Sequence, residues 1–203
     1  MKIMQLIELI GYILLGYIIL MFVLTIILIP NLYWKAKSKN DLPKKVKLEM
    51  KKIGKKFKTK KEVLEEVAEL HVNRFYGFIA GTFWHLPLLW VTDHKDLWEK
   101  KGYLHCHQHN VLIEKLLIET ERFNKKDFKY KLASVYGEIH QYLKVNISED
   151  PKKQKWIYLD PFAISLGFEV GEKLPFLSIR EIKKRKLQPK GLLAKIKKEN
   201  RKI

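Results

Sequence analysis

The apolar and polar positions divide the chain into segments of distinct period. Residues 9–30 (LIGYILLGYIILMFVLTIILIP) are almost uninterruptedly apolar. At about 1.5 Å rise per residue such a run is long enough to cross a hydrocarbon core of about 30 Å, and it predicts a transmembrane helix. It is too long for a signal-peptide core, and no small-x-small cleavage site follows it. Tyr33 and Trp34 fall where an interfacial aromatic belt belongs. Residues 75–91 (FYGFIAGTFWHLPLLWV) are apolar too, but they contain glycines, His85 and Pro87 and are short for a span. They are expected as a buried or membrane-lying stretch rather than a second crossing.

Beyond the anchor the period becomes helical. Thr59 with Glu62 three residues later forms a capping-box pattern and predicts a helix over 59–76, with Val63, Val67 and Leu70 facing the core. A short helix follows over 92–101, with Leu97 and Trp98 inward and Gly102 as its stop. A second runs over about 105–121, with Val111, Leu112 and Leu116 on an apolar stripe. Residues 131–147 are β-branched and aromatic in part and predict extended chain; residues 154–159 alternate with period two. Ser148, Glu149, Asp150 and Pro151 supply turn chemistry between them, so the two segments read as an antiparallel hairpin. The fold class expected is α+β, a helix bearing Cys106 packed on an antiparallel sheet, with one N-terminal transmembrane helix.

Charge refines this picture. The 203 residues carry a formal charge of +18, a balance that implies an anionic partner. Lysines 35, 37, 39, 44, 45 and 47 follow the apolar run, against Lys2 and Glu8 before it. The positive-inside rule then places the N-terminus outside and the rest in the cytoplasm, as a single-pass membrane protein. The division expected is an anchor at 1–34, a basic juxtamembrane linker at 35–58, a domain at 59–179 and a basic tail at 180–203. Leu192, Leu193 and Ile196 give the tail a thin apolar stripe. Lysines flanking the anchor and in the tail suit anionic lipid headgroups better than nucleic acid, for which no zinc finger, helix-turn-helix or RNP motif is present. The single cysteine excludes an intramolecular disulfide.

Cys106, His140 and Asp160 carry the candidate chemistry. Cys106 stands where the 105–121 helix begins, and free N–H groups and the helix dipole there favour a thiolate. His140 and Asp160 each lie ten residues from Asp150. A hairpin centred there sets them opposite one another, on one face and about 5 Å apart at Cβ. A carboxylate so placed fixes the imidazole tautomer and leaves the other ring nitrogen to the thiol.

This pattern resembles the transglutaminase-like superfamily of papain-related cysteine enzymes. Its signature is a Gly-x-Cys helix start, a strand with His-Ala-Trp-x-Glu-Val, and Trp-x-x-x-Asp-Pro. Here the second element is His140-Gln-Tyr-Leu-Lys-Val145 and the third Trp156-Ile-Tyr-Leu-Asp160-Pro161. The resemblance covers residues 92–163. It implies Cys106 as nucleophile, His140 as general base and acid, and Asp160 as the orienting carboxylate. It further implies a peptide or protein amide as substrate, a thioester intermediate resolved by water or an amine, and no cofactor. The chain departs from the family in having Gly102 four residues before the cysteine and Asn110 where a small apolar residue is usual. The side-chain oxyanion donor is open among Trp84, Trp90 and Trp98. Some members of the superfamily are inactive binding modules.

The same stretch, HCHQH, allows a rival. If it is helical, His105 and His109 share a face, and with Cys106 they form an alternative metal-ligand set.

Overall fold

The computed structural model describes residues 3–28, 38, 41–77, 86–135, 138–150 and 152–199. The apolar N-terminal run forms helix α1 (Ile3–Leu28). Its described large apolar side chains are exposed. Among the described residues, no helix is long and apolar enough to cross a membrane. This finding corrects the expected transmembrane helix, and with it the single-pass membrane location.

The stretch expected as a linker contains a packed helix, α2 (Lys44–Lys56). Val46, Met50 and Ile53 follow helical spacing and are buried, while the lysines take the outer face. Helix α3 (Lys60–Arg74) starts at the capping box: Thr59 accepts from the Glu62 N–H at 3.2 Å, and Glu62 accepts from the Thr59 N–H at 2.9 Å. Val63 and Val67 are buried and Leu70 packs half-buried against the core. Strand β1 (Phe75–Tyr76) pairs in parallel with β2 (Gly102–Tyr103). Between them lie a 3₁₀ turn (Leu86–Trp90) and helix α4 (His94–Lys100). Leu97 is buried, and Trp98 packs on Phe75 with ring centroids 5.9 Å apart. Lys101 and Gly102 end α4 in succession at positive φ.

Helix α5 (Cys106–Glu119) forms the centre of the domain. Its first nine residues are all buried, so it is enclosed rather than striped. One side meets α3. The other meets a three-stranded antiparallel sheet of order β3 (Phe128–Val135), β4 (Glu138–Asn146) and β5 (Trp156–Leu159). Leu143, Val145 and Leu159 face α5 in the main core with Leu112, Ile113 and Leu116. The long extended stretch anticipated around 131–147 is two strands paired from Phe128↔Val145 to Val135↔Glu138. Short helix α6 (Pro161–Ser165) follows β5 directly. The tail is also folded: α7 (Ser178–Arg185) and α8 (Gly191–Glu199) close the chain, and Leu193 is buried. The fold is α+β.

Candidate active site

Three elements meet at the site. Helix α5 brings Cys106 at its first residue, β4 brings His140, and Asp160 sits at the junction of β5 and α6. The sequence forces each placement locally. His105 has extended backbone (φ −77°, ψ 159°) and begins α5. Its N–H donates to Gln108 Oε1 at 3.1 Å, and Gln108 Nε2 donates to the carbonyls of Leu88 (2.5 Å) and Val91 (2.8 Å). Gln108 thus ties the helix start to the preceding 3₁₀ turn. Pro161 fixes the first residue of α6, and Asp160 caps it by accepting from the Ala163 N–H at 3.1 Å.

The structure brings Cys106, His140 and Asp160 together, all buried. His140 Nε2 donates to Asp160 Oδ2 at 2.7 Å, and the Leu174 N–H donates to the same oxygen at 2.9 Å. With Nε2 engaged, the ring's other nitrogen, Nδ1, is left free of Asp160, and His140 and the Cys106 thiol act on one another electrostatically. The Gln141 N–H also approaches Cys106 Sγ, at 3.5 Å, and His105 Nδ1 lies 3.4 Å from it. Burial pushes the thiol up, but the His105 imidazole beside it, followed by His140, outweighs this and brings Cys106 down to about 5. Burial lowers His140, yet Asp160 overrides burial and raises it to about 10. Burial raises Asp160 as well, and the charge and hydrogen bond of His140 hold it below the usual carboxylate range. The three directions, thiol down, imidazole up and carboxyl down, favour a thiolate–imidazolium pair backed by a carboxylate.

The register differs from a hairpin centred on Asp150. Leu143 pairs with Leu159, so the ladder extended by one residue sets Tyr142, not His140, opposite Asp160. His140 reaches Asp160 diagonally. The shift is by two residues, which preserves the face because side chains alternate with period two.

The alternative metal set, His105, Cys106 and His109, is split by the fold. His109 Nδ1 lies 2.7 Å from His71 Nε2 on α3, and His105 Nδ1 lies 2.8 Å from His107 Nδ1. These are hydrogen-bond separations; two nitrogens on one tetrahedral zinc would stand about 3.3 Å apart. Among the described residues, no group of three or more His, Cys, Asp or Glu is placed to hold a metal ion. Of the tryptophans considered as oxyanion donors, Trp98 is half-buried against the core, and its ring lies under Arg74 at 4.5 Å. Trp90 is exposed. Trp84 lies outside the described residues.

Sequence reasoning missed two contributors. Asn110 Nδ2 donates to the Gln141 carbonyl at 2.9 Å and to Gln141 Oε1 at 3.2 Å, joining the second turn of α5 to the strand beside His140. Phe162 packs edge-on against His140 (5.5 Å between centroids) and against His109 (6.3 Å). A Cβ on Gly77 would collide with the Phe162 ring, so a glycine there leaves room for it. The one-turn spacing of Asn110 from Cys106 was the available signal; Phe162 offered none.

Compared with known proteins, the chain matches no family model, no curated protein and no solved structure.

Proposed function

We propose that the chain is a transglutaminase-like thiol enzyme acting on peptide or protein amide bonds through Cys106, His140 and Asp160. One observation carries this reading: a thiol at a helix N-terminus, a buried imidazole and a buried carboxylate meet in one site, and the imidazole donates to the carboxylate at 2.7 Å. Nucleophilic acyl chemistry requires that arrangement of nucleophile, base and orienting group.

In the proposed cycle, Cys106 Sγ attacks the carbonyl carbon and forms a C–S bond, and the carbonyl oxygen becomes an oxyanion. The Cys106 N–H, in the first turn of α5 and without an intrahelical acceptor, is available to it as one donor. His140 Nδ1–H then protonates the departing nitrogen as the C–N bond breaks, leaving a thioester and a neutral imidazole. Water or an amine attacks the thioester and gives its proton to His140, and Cys106 leaves as the thiolate. Hydrolysis and transfer differ only in that second nucleophile. Asp160 keeps the imidazole in one tautomer throughout.

The test is the pH dependence of Cys106 alkylation by iodoacetamide in the wild type and in His140→Ala. The expected result is a wild-type midpoint well below the ordinary thiol value of about 8.5. His140→Ala should slow alkylation at pH 6 by at least about tenfold. The burial of Cys106 among Leu89, Phe162 and Leu174 favours a second reading, a catalytically inactive binding module on the same fold. An ordinary or unreactive thiol, indifferent to His140→Ala, would establish the second reading and sink the first.

A further inference from the structure

The hydrogen-bond chain on the other side of the thiol fixes a tautomer. His107 Nε2 lies 3.2 Å from the Leu89 carbonyl oxygen. A carbonyl only accepts, so Nε2 carries the hydrogen. His107 is fully buried, and burial followed by the neighbouring His105 holds it down to about 3, so its ring is neutral at pH 7. A neutral ring has one N–H, which leaves His107 Nδ1 bare and accepting. His105 Nδ1, 2.8 Å from it, must therefore be the donor. That same Nδ1 lies 3.4 Å from Cys106 Sγ, so its one hydrogen is shared in a three-centre bond, with His107 Nδ1 on the shorter arm and the sulfur on the longer. Because His105 precedes the helix with extended backbone, its ring stands beside the sulfur rather than on the helix surface.

We propose that His105 is a second catalytic imidazole: an N–H donor to the Cys106 sulfur that cannot act as a base there, with His107 as the positioning residue that fixes its tautomer through Leu89. The assignment rests on the thiol-acyl reading above. The two imidazoles then divide the work. His140 exchanges protons with substrate groups, while His105 keeps its proton and stabilises negative charge on sulfur. That charge is present before attack, disappears in the thioester, and returns when sulfur departs in the second step. A donor fixed in place thus favours the thiolate both as nucleophile and as leaving group, without any proton crossing to it. The Gln141 N–H approaches the same sulfur, so the thiolate has a backbone and a side-chain donor besides His140.

Two measurements test this. The first is the alkylation profile of the full-length chain with His105→Ala and His105→Asn, each checked for native circular dichroism. Removing a charge-assisted hydrogen bond should raise the thiol midpoint by about one pH unit in His105→Ala, or about tenfold less thiolate at low pH. The Asn side-chain amide places an N–H near the position of Nδ1–H, and His105→Asn should stay within a few tenths of a unit of wild type. A midpoint unmoved by His105→Ala, or moved equally by Asn, overturns the proposal. If such a profile still depends on His140, the thiol-acyl reading survives. If the wild-type thiol is ordinary and His140→Ala has no effect, both fail. The second measurement needs no variant to fold: long-range ¹H–¹⁵N correlation spectra of histidine-labelled wild type. His105 should appear as the Nδ1–H tautomer and His107 as Nε2–H. The reverse pairing overturns the proposal.

Discussion

Asn110 reads in the sequence as a departure from a family pattern, and in the structure it is a tie between the two halves of the site. Its amide holds both the backbone carbonyl and the side-chain oxygen of Gln141. The Gln141 N–H in turn points at Cys106 Sγ. Asn110→Ala removes the side-chain donor to a buried carbonyl, a loss of about 1–3 kcal/mol. The variant should lower the urea midpoint and move the alkylation midpoint upward together. A loss of stability that left the alkylation profile in place would show that Asn110 supports the fold without positioning the thiol. Cys106, His140 and Asp160 were legible because their types, order and predicted elements agreed. His105 and His107 were legible as chemistry but not as contacts, since the carbonyl that His107 meets belongs to Leu89 in the turn at 86–90.

At the scale of elements, Gly54 shows why a lysine-rich segment is not a linker. A Cβ there would meet the carbonyl of Thr120 at the end of α5, so α2 crosses that end at backbone contact. Gly54→Ala should cost about 1–3 kcal/mol by forcing the helices apart. Thermal unfolding would show it, and an unchanged midpoint would mean that α2 is loosely held. Composition misled here because four lysine-rich turns hide three apolar positions, Val46, Met50 and Ile53, whose spacing is helical. The capping box at Thr59 was read correctly for the opposite reason: its bonds are local, between residues three apart.

For the whole molecule, pH dependence follows from histidines buried without charge. Burial holds His71 and His107 near 3 and, with His71 beside it, His109 well below its ordinary value. In the unfolded chain each titrates near 6.5. Below that pH the unfolded state binds more protons, so stability falls as pH drops, by up to about 1.4 kcal/mol per unit for each histidine. The Cys106–His140 pair has its own windows. His140, raised to about 10, contributes stability fully present below 6.5 and lost as pH rises through 10. Cys106, lowered to about 5, contributes stability present above its unfolded value and lost as pH falls through 5. Urea midpoints should therefore drop steeply between pH 7 and 4.5, and His71→Leu should flatten that slope. A flat profile in the wild type would contradict neutral burial. The basic charge is also not confined to the chain ends: Lys129, Lys144 and Lys173 lie over the rings of Trp156, Tyr158 and Tyr142 at 4.0, 5.1 and 5.1 Å.

By itself the sequence determined what depends on neighbours within a turn or on alternation along a strand. It set the start of α3, the placement of Cys106 at a helix N-terminus, the turn between β4 and β5, and the shared face of His140 and Asp160. Parity survives a register shift of two, so that last inference held although the opposing pair was different. Only the tertiary structure decided which imidazole meets which. Five positions around Cys106 offer three histidines, and the pairings His105–His107 and His71–His109 depend on α3 and the 86–90 turn, which are distant in sequence. Tertiary packing also decided that α2 belongs to the core. Hydropathy alone predicted a membrane span that no described helix provides. Local periodicity fixes what an element is; the burial and partners of a polar group are settled only when elements far apart in the chain close around it.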